Sequence, residues 1–200
     1  AQLDQANPDL AAVFYVDGHV RAYQGTRKVA KTHLSRLKFP APATVETWVS
    51  DAAGDPVLIV MAQPGASLAM ELRRLLPELR RAVGDVRRVL VGFDRGGWSP
   101  ALFEHMHTQG FDALTWRKGT AADVAPDLFA DVTHIDERGR LHCWRVADTT
   151  VDLPTNDDGD TFTMRQVTLQ VAGTKTGRDK DGQDSTRQIH ILTTRTDLTS

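Results

Sequence analysis

Two stretches of this chain share one grammar: a short apolar run, closed by an aspartate, with glycine following at once or one residue later. The first reads VRRVLVGFDRGGWSP, from Val86 to Pro100. Val89, Leu90, Val91 and Phe93, with Val86 upstream, form a run whose length and Gly/Pro boundaries predict a strand buried on both faces. Asp94 falls where that strand ends. Gly96 and Gly97 free the backbone for a tight turn, and Ser99 before Pro100 reads as an N-cap with proline in the first helical turn. An acid on such a strand-to-helix corner is either an ordinary turn residue or a site group, because ligands gather at the carboxyl ends of strands in open α/β sheets. The second stretch, AAVFYVDGHVRAYQG, spans Ala11 to Gly25. Val13, Phe14, Tyr15 and Val16 are β-prone, Asp17 closes the run, Gly18 predicts a turn, and Val20 to Tyr23 starts a second extended segment. If the two apolar strands lie side by side and parallel, both carboxylates emerge at one sheet edge, close enough to share a divalent cation.

The rest of the chain fits around this pair. Thr26 to Pro42 is basic and ends in the proline-flanked FPAPA, which predicts an extended segment or loop closed by a turn. Thr44 to Ser50 alternates as a strand, Asp51 to Asp55 is a turn and Pro56 to Ala62 is a strand, giving an antiparallel meander. Leu68, Leu72, Leu75, Leu76, Leu79 and Val83 fall on one stripe of a helix over Ser67 to Val83, which Pro77 is expected to kink and Gly84 to end. A helix over Pro100 to Thr108 and a strand over Phe111 to Trp116 complete a strand–helix–strand–helix–strand order. The later strands are therefore parallel, in an α/β layered sheet. Beyond Thr120 only strands are predicted, over Val132–Ile135, Leu141–Val146, Thr161–Val171 and Gln188–Arg195, with a mobile Gly/Asp-rich loop over Gly173 to Thr186. The domain expectation is a core over residues 1–120 and a β-rich insertion over 121–200.

Charge adds one more clue. Residues 1–100 hold 13 Lys/Arg against 10 Asp/Glu, whereas residues 101–200 hold 11 against 16, so the first half is net basic. The basic residues cluster twice: Arg27, Lys28, Lys31, Arg36 and Lys38 in one segment, and Arg73, Arg74, Arg80, Arg81, Arg87 and Arg88 in another. Each cluster suits phosphates or a solvated face equally well. One cysteine, Cys143, excludes a disulfide within the chain, no Cys/His cluster has zinc spacing, and a reducing cytosol is the compartment that fits. No apolar run approaches the roughly 18 residues of a membrane span. The first residue is Ala and the first ten are polar, so the chain is expected to be a piece of a longer protein.

At this point FYVDGHVRAYQG, THLSRLKFPAPATVETWVSDAAGDP and VLVGFDRGGWSPALFEHMHTQGFDALTWRKG together resemble the catalytic core of bacterial insertion-sequence transposases of the DDE class, over nearly all of Val13 to Gly119. The resemblance implies a ribonuclease H-like mixed α/β fold, with the β-rich stretch after Thr120 similar to an insertion that some members carry. It implies that Asp17 and Asp94 are the first two acids of a catalytic triad that binds Mg²⁺ or Mn²⁺. Two such ions, about 3.5–4 Å apart, would serve metal-dependent cleavage and transfer of DNA strands at insertion-sequence ends, with Asp17 as the bridging ligand. The family's third acid is a Glu on a helix after the insertion. No such helix is predicted before Ser200, so the chain is expected to be truncated ahead of it and inactive alone. Asp127, Asp131, Asp136, Glu137 and Asp197 are substitutes in principle and solvated loop acids by the simpler reading.

Further implications concern contacts. The resemblance makes double-stranded DNA the partner, allows a homodimer in the DNA complex, and calls for no membrane and no small-molecule cofactor. The expected location is the nucleoid-associated bacterial cytoplasm. Lys28, Lys31, Arg36 and Lys38 are the candidate phosphate contacts. His19 is either a phosphate or metal-water contact or a structural hairpin residue, and Trp144 either holds a flipped DNA base, as an aromatic does in some relatives, or simply packs. Two other functions stay open: a non-catalytic DNA- or protein-binding transposase remnant, and an unrelated metal-dependent phosphohydrolase using the same two acids in an enclosed pocket.

Overall fold

The computed structural model describes residues 12–34, 38–63, 65–84, 88–156, 158–172 and 186–196. The chain divides into two compact units, Ala1–Thr115 and Trp116–Ser200.

The first unit is a mixed sheet with two helices. Its elements are β1 (Ala12–Ala22), β2 (Lys31–Leu34), β3 (Phe39–Asp51), β4 (Pro56–Ala62), α1 (Leu68–Val83), β5 (Val89–Phe93), α2 (Pro100–Thr108) and β6 (Phe111–Trp116). The strand order is β2-β3-β1-β5-β6, with β4 also paired to β3. β1, β3 and β4 pair antiparallel, whereas β1–β5 and β5–β6 pair parallel. Helical connections produce the parallel half, because a parallel neighbour can be reached only by a crossover. β5 is buried along its whole length, as its unbroken apolar run requires. The leucine stripe of α1 supplies Leu72, Leu75, Leu76 and Leu79 to the core, where α2 adds Leu102 and Phe103. Each such side chain, fully buried, contributes about 1.5–3 kcal/mol.

Helix ends follow the sequence signals. Ser67 caps α1 by accepting from the Met70 N–H at 3.2 Å, and Gly84 ends it at φ 79°. Ser99 caps α2 at the Leu102 N–H, at 3.3 Å, ahead of Pro100. α1 runs through Pro77 without ending there.

Three expectations are corrected. Gly18 makes no turn: β1 is one strand of 11 residues, and it stays in register with β3 from Phe14–Asp51 to Ala22–Ala43. A complete ladder on one side holds Gly18 extended despite its low strand preference. Asp17 therefore lies within a strand, not at its end. Thr26 to Pro42, expected as an extended segment or loop, is extended over β2, which pairs with the first residues of β3 in a hairpin, Lys31 opposite Pro42 and Leu34 opposite Phe39. FPAPA is accordingly the start of the 13-residue β3 and not a turn.

The second unit is an antiparallel meander of β7 (Ala130–Ile135), β8 (Leu141–Pro154), β9 (Thr161–Ala172) and β10 (Thr186–Thr193), in the order β10-β9-β8-β7. β8 extends past its expected end at Val146 because β9 pairs with it as far as Pro154–Thr161. Val146, Leu153, Met164 and Leu192 are buried in this unit. The buried Gln166 accepts from the Arg117 guanidinium and donates to Thr168, whose hydroxyl lies 2.9 Å from His190 Nδ1. Most of the loop expected over Gly173 to Thr186 lies outside the described residues. No α-helix occurs in this unit among the described residues.

Two glycines of the first unit make opposite predictions. A Cβ on Gly18 would meet nothing within 4 Å, whereas one on Gly97 would stand 2.5 Å from the Phe93 ring and 2.8 Å from a Leu72 methyl. Gly18→Ala should stabilise the protein by about 0.5–1 kcal/mol, since glycine within a strand is the costlier residue. Gly97→Ala should destabilise it by about 1–3 kcal/mol through overpacking. Urea denaturation of the two variants checks both signs.

Candidate active site

The parallel pairing of β1 and β5 sets the geometry around the two aspartates. The rungs run from Ala12–Val89 to Val16–Phe93, where β5 ends. Asp17 and Asp94 are the next residues on their strands, one position beyond a shared rung. Neighbouring strands are spaced about 4.8 Å apart, so the two aspartates follow one shared rung on adjacent strands. β1 continues past this point, with Asp17 opposite Trp48, His19 opposite Glu46 and Arg21 opposite Thr44 on β3.

The Asp94 corner is built by packing. Its Oδ1 accepts from the Gly96 N–H at 2.7 Å, capping a single 3-10 turn over Arg95–Gly97. The Asp94 carbonyl accepts from the Thr115 hydroxyl at 3.3 Å and from the Gly97 N–H at 3.1 Å. Leu72 of α1 and the Phe93 ring leave room only for hydrogen at Gly97, so the leucine stripe buttresses the turn. Trp98 meets the Phe103 ring edge to face at 5.4 Å and fixes the path into α2. The Asp94 carboxylate is exposed, with Oδ1 engaged in the cap.

Asp17 is exposed on β1, on the same face as Tyr15 and His19 two residues to either side. The Tyr15 ring lies over Gly92, where a Cβ would come within 2.9 Å of it. His19 belongs to a continuous strand, not the expected hairpin turn. An acid that the sequence reading passed over sits beside it. Glu46, only 9% exposed, accepts from the Trp48 indole N–H at 3.1 Å and pairs with Arg21 at 3.7 Å. Glu46 is diagonal to Asp17 on the ladder, and its carboxylate already has two partners.

The basic candidates separate. Lys28, Lys31 and Lys38 are exposed on and around the β2–β3 hairpin, with Lys38 at φ 58° donating its N–H to the Leu34 carbonyl at 2.8 Å. Arg36 lies outside the described residues. Trp144, on β8, is 41% exposed and stacks with His142 at 5.5 Å and His134 at 6.3 Å.

Of the substitute acids, Asp136 has a structural task. Its Oδ1 accepts from the Arg138 and Arg140 N–H groups of the β7–β8 turn, and its Oδ2 meets His142 at 3.0 Å. Asp131 approaches Arg145 at 3.8 Å, Asp127 and Glu137 are exposed, and Asp197 lies outside the described residues. Among the described residues, no group of three or more His, Cys, Asp or Glu is arranged to hold a metal ion. Two carboxylates from adjacent parallel strands suit one hard, oxygen-seeking cation that keeps several of its waters. They do not make a two-ion site.

Asp136 gives the pH prediction. The hydrogen bond from His142, then that from the Arg140 backbone, holds its carboxyl below the ordinary 3.8. A depressed carboxyl favours the folded hairpin above its unfolded pKa and loses that contribution as pH falls through the folded pKa. Carboxyl carbon NMR should give an Asp136 midpoint below 3.8, and His142→Ala should move it upward.

No curated protein matches the sequence. Among solved structures, similarity is found to the cryo-EM structure of a piggyBac transposase synaptic complex with hairpin DNA, at TM-score 0.47 and 12% identity. The match covers 95% of this chain and 34% of that one, so the chain spans about a third of that protein's length. The family described as transposase protein matches residues 3–168. This chain belongs to that transposase family.

Proposed function

We propose that the chain carries part of the catalytic core of a DDE-class DNA transposase of ribonuclease H-like fold. In this reading, Asp17 and Asp94 are two of its metal-binding acids. The observation that carries the reading is the parallel register of β1 and β5, which sets both acids one residue past the Val16–Phe93 rung. Membership of a transposase family supports the DNA chemistry, and the order of an antiparallel meander followed by parallel strands supports the fold.

Asp17 and the Oδ2 of Asp94 would hold a Mg²⁺ or Mn²⁺ ion. Such an ion, when bound, polarises a phosphoryl oxygen and lowers the pKa of a coordinated water for phosphodiester cleavage. The chain's own residues do the positioning. The capped turn and α1 fix Asp94, while the β3 ladder fixes Asp17. Lys28, Lys31 and Lys38 contact DNA phosphates, with no base preference. Trp144, stacked on two imidazoles and partly exposed, would be the aromatic that meets a base. With two carboxylates and, among the described residues, no group of three or more arranged to hold a metal ion, the chain alone binds DNA but neither cuts nor joins it. A homodimer on DNA is the assembly in which the full reaction would run.

Two measurements test this. Duplex DNA affinity should fall as salt rises, and Lys→Gln at positions 28, 31 and 38 should flatten the log–log salt slope by about one unit per lysine. Supercoiled DNA should stay intact with Mg²⁺ or Mn²⁺. If the parent chain nicks it and the Asp17→Ala, Asp94→Ala double variant does not, a third ligand lies within the chain and the two-carboxylate account is wrong.

A further inference from the structure

β4 forms a free edge of the first unit's sheet. Among the described residues its one strand neighbour is β3, paired in register from Val45–Ala62 to Val49–Leu58. Hydrogen bonding alternates between the two sides of β3: the Pro42 carbonyl accepts from the Tyr23 N–H on the β1 side, and the Ala43 N–H donates to the Ala30 carbonyl on the other. Odd-numbered residues of β3 therefore bond toward β4, and Leu58, Val60 and Ala62 bond back to them. Ile59 and Met61 consequently turn their N–H and C=O groups out of the sheet. They are also 48% and 60% exposed.

Such an edge is a template for another strand, and proteins ordinarily blunt it with charge, proline or a bulge. β4, reading PVLIVMA, carries no charge, and both Pro56 and the irregularity at Val49/Ser50 lie at its start. The stretch from Leu58 to Ala62 is left regular and apolar. Charge is sorted instead to the two ends of this edge. Residues 47–72 contain no Lys, Arg or His, and exposed Asp55 stands at the turn before β4; residues 18–45 contain no Asp or Glu, and exposed Lys31 opens β2, which lies on the same side of β3 as β4. The two ends are equally far from the middle. Counting from the Thr47–Val60 rung, Asp51, bonded to Asp55, is four residues along β3 in one direction, and Ala43, bonded to Ala30, is four in the other.

We propose that β4 pairs antiparallel with β4 of a second copy, about a two-fold axis at Val60, joining the two sheets edge to edge. This gives a surface to the homodimer of the reading above and uses none of its DNA chemistry. Ile59 of each copy then lies opposite Met61 of the other, and the outward backbone groups of both residues find partners, since a hydrogen-bonded antiparallel pair exchanges both of its bonds. The exposed side chains of the same two residues cover one another. The acidic turn of each copy comes beside Ala30 and Lys31 of the other, whereas a parallel pairing would set acid against acid. Exposed ion pairs of this kind are weak, so they orient the copies and the ladder holds them. The contact is isologous and closes at two chains.

The test is sedimentation equilibrium of the full chain without DNA, over a range of concentrations, beside amide hydrogen exchange. The wild type should reach twice the mass of the chain, and the Ile59 and Met61 amides should gain protection as the dimer forms. Two variants alter the same exposed positions. Ile59→Lys, Met61→Lys sets like charges opposite each other and should stay monomeric, while Ile59→Lys, Met61→Glu sets opposite charges there and should still dimerise. Circular dichroism melts identify any loss due to unfolding, in which case the exchange result in the wild type decides alone. A wild type that is monomeric at every concentration overturns the edge and leaves the DNA reading standing. A dimer that the folded double-Lys variant retains, that the folded Lys/Glu variant loses, or that leaves the Ile59 and Met61 amides unprotected also overturns it. Absence of DNA binding overturns the DNA reading and not this dimer.

Discussion

One pairing governs the first unit, the parallel ladder between β1 and β5. Because side chains alternate along a strand, a slip of one residue would turn Phe14 and Val16 out of the core and Asp17 into it. Burying Asp17 without a partner would cost several kcal/mol, and exposing two large apolar residues would add to that. The hydrophobic pattern that folds the sheet thereby fixes the position of the acid. The exposure of Asp17 follows from the same alternation that buries its neighbours.

The helix α1 serves two ends of this sheet with its two faces. Leu72 on its inner face presses on Gly97 and holds the turn that Asp94 caps. Arg80 on its outer stripe reaches the opposite end, where it holds the Gln109 and Gly110 carbonyls, while Arg73 holds the Ala101 carbonyl in the first turn of α2. A change that moved α1 would disturb the Asp94 turn and these carbonyl contacts together. Substitutions on the outer stripe alone should separate them.

Much of the fold was legible where local signals and tertiary structure agree. α2 and β6 begin and end as their cap, proline and apolar periodicity indicate, and the apolar run ending at Phe93 is the fully buried β5. Local signals failed where a neighbouring strand overrode them. Gly18 and the prolines of FPAPA punctuate the sequence, yet β3 carries the ladder straight through both regions. The boundary between the units falls at Thr115–Trp116, five residues before the composition shifts. In the site, both aspartates stood out because each closes an apolar run. Glu46 did not, since its proximity to Asp17 exists only across the β1–β3 ladder and nothing in TVETWVS sets it apart. The arginines of α1 and Arg88 were visible as a cluster, but their partners Asp112, Ala101 and Gly110 are distant in sequence.

Paramagnetic broadening by Mn²⁺ tests the pairing of Asp17 with Asp94 most directly. In amide NMR spectra of the chain, substoichiometric Mn²⁺ should broaden residues around Asp17 and around Asp94 together, and either Asp17→Asn or Asp94→Asn should weaken both effects. A cation that broadens one strand without the other, or that survives at one aspartate unchanged when its neighbour is replaced, would contradict a shared site.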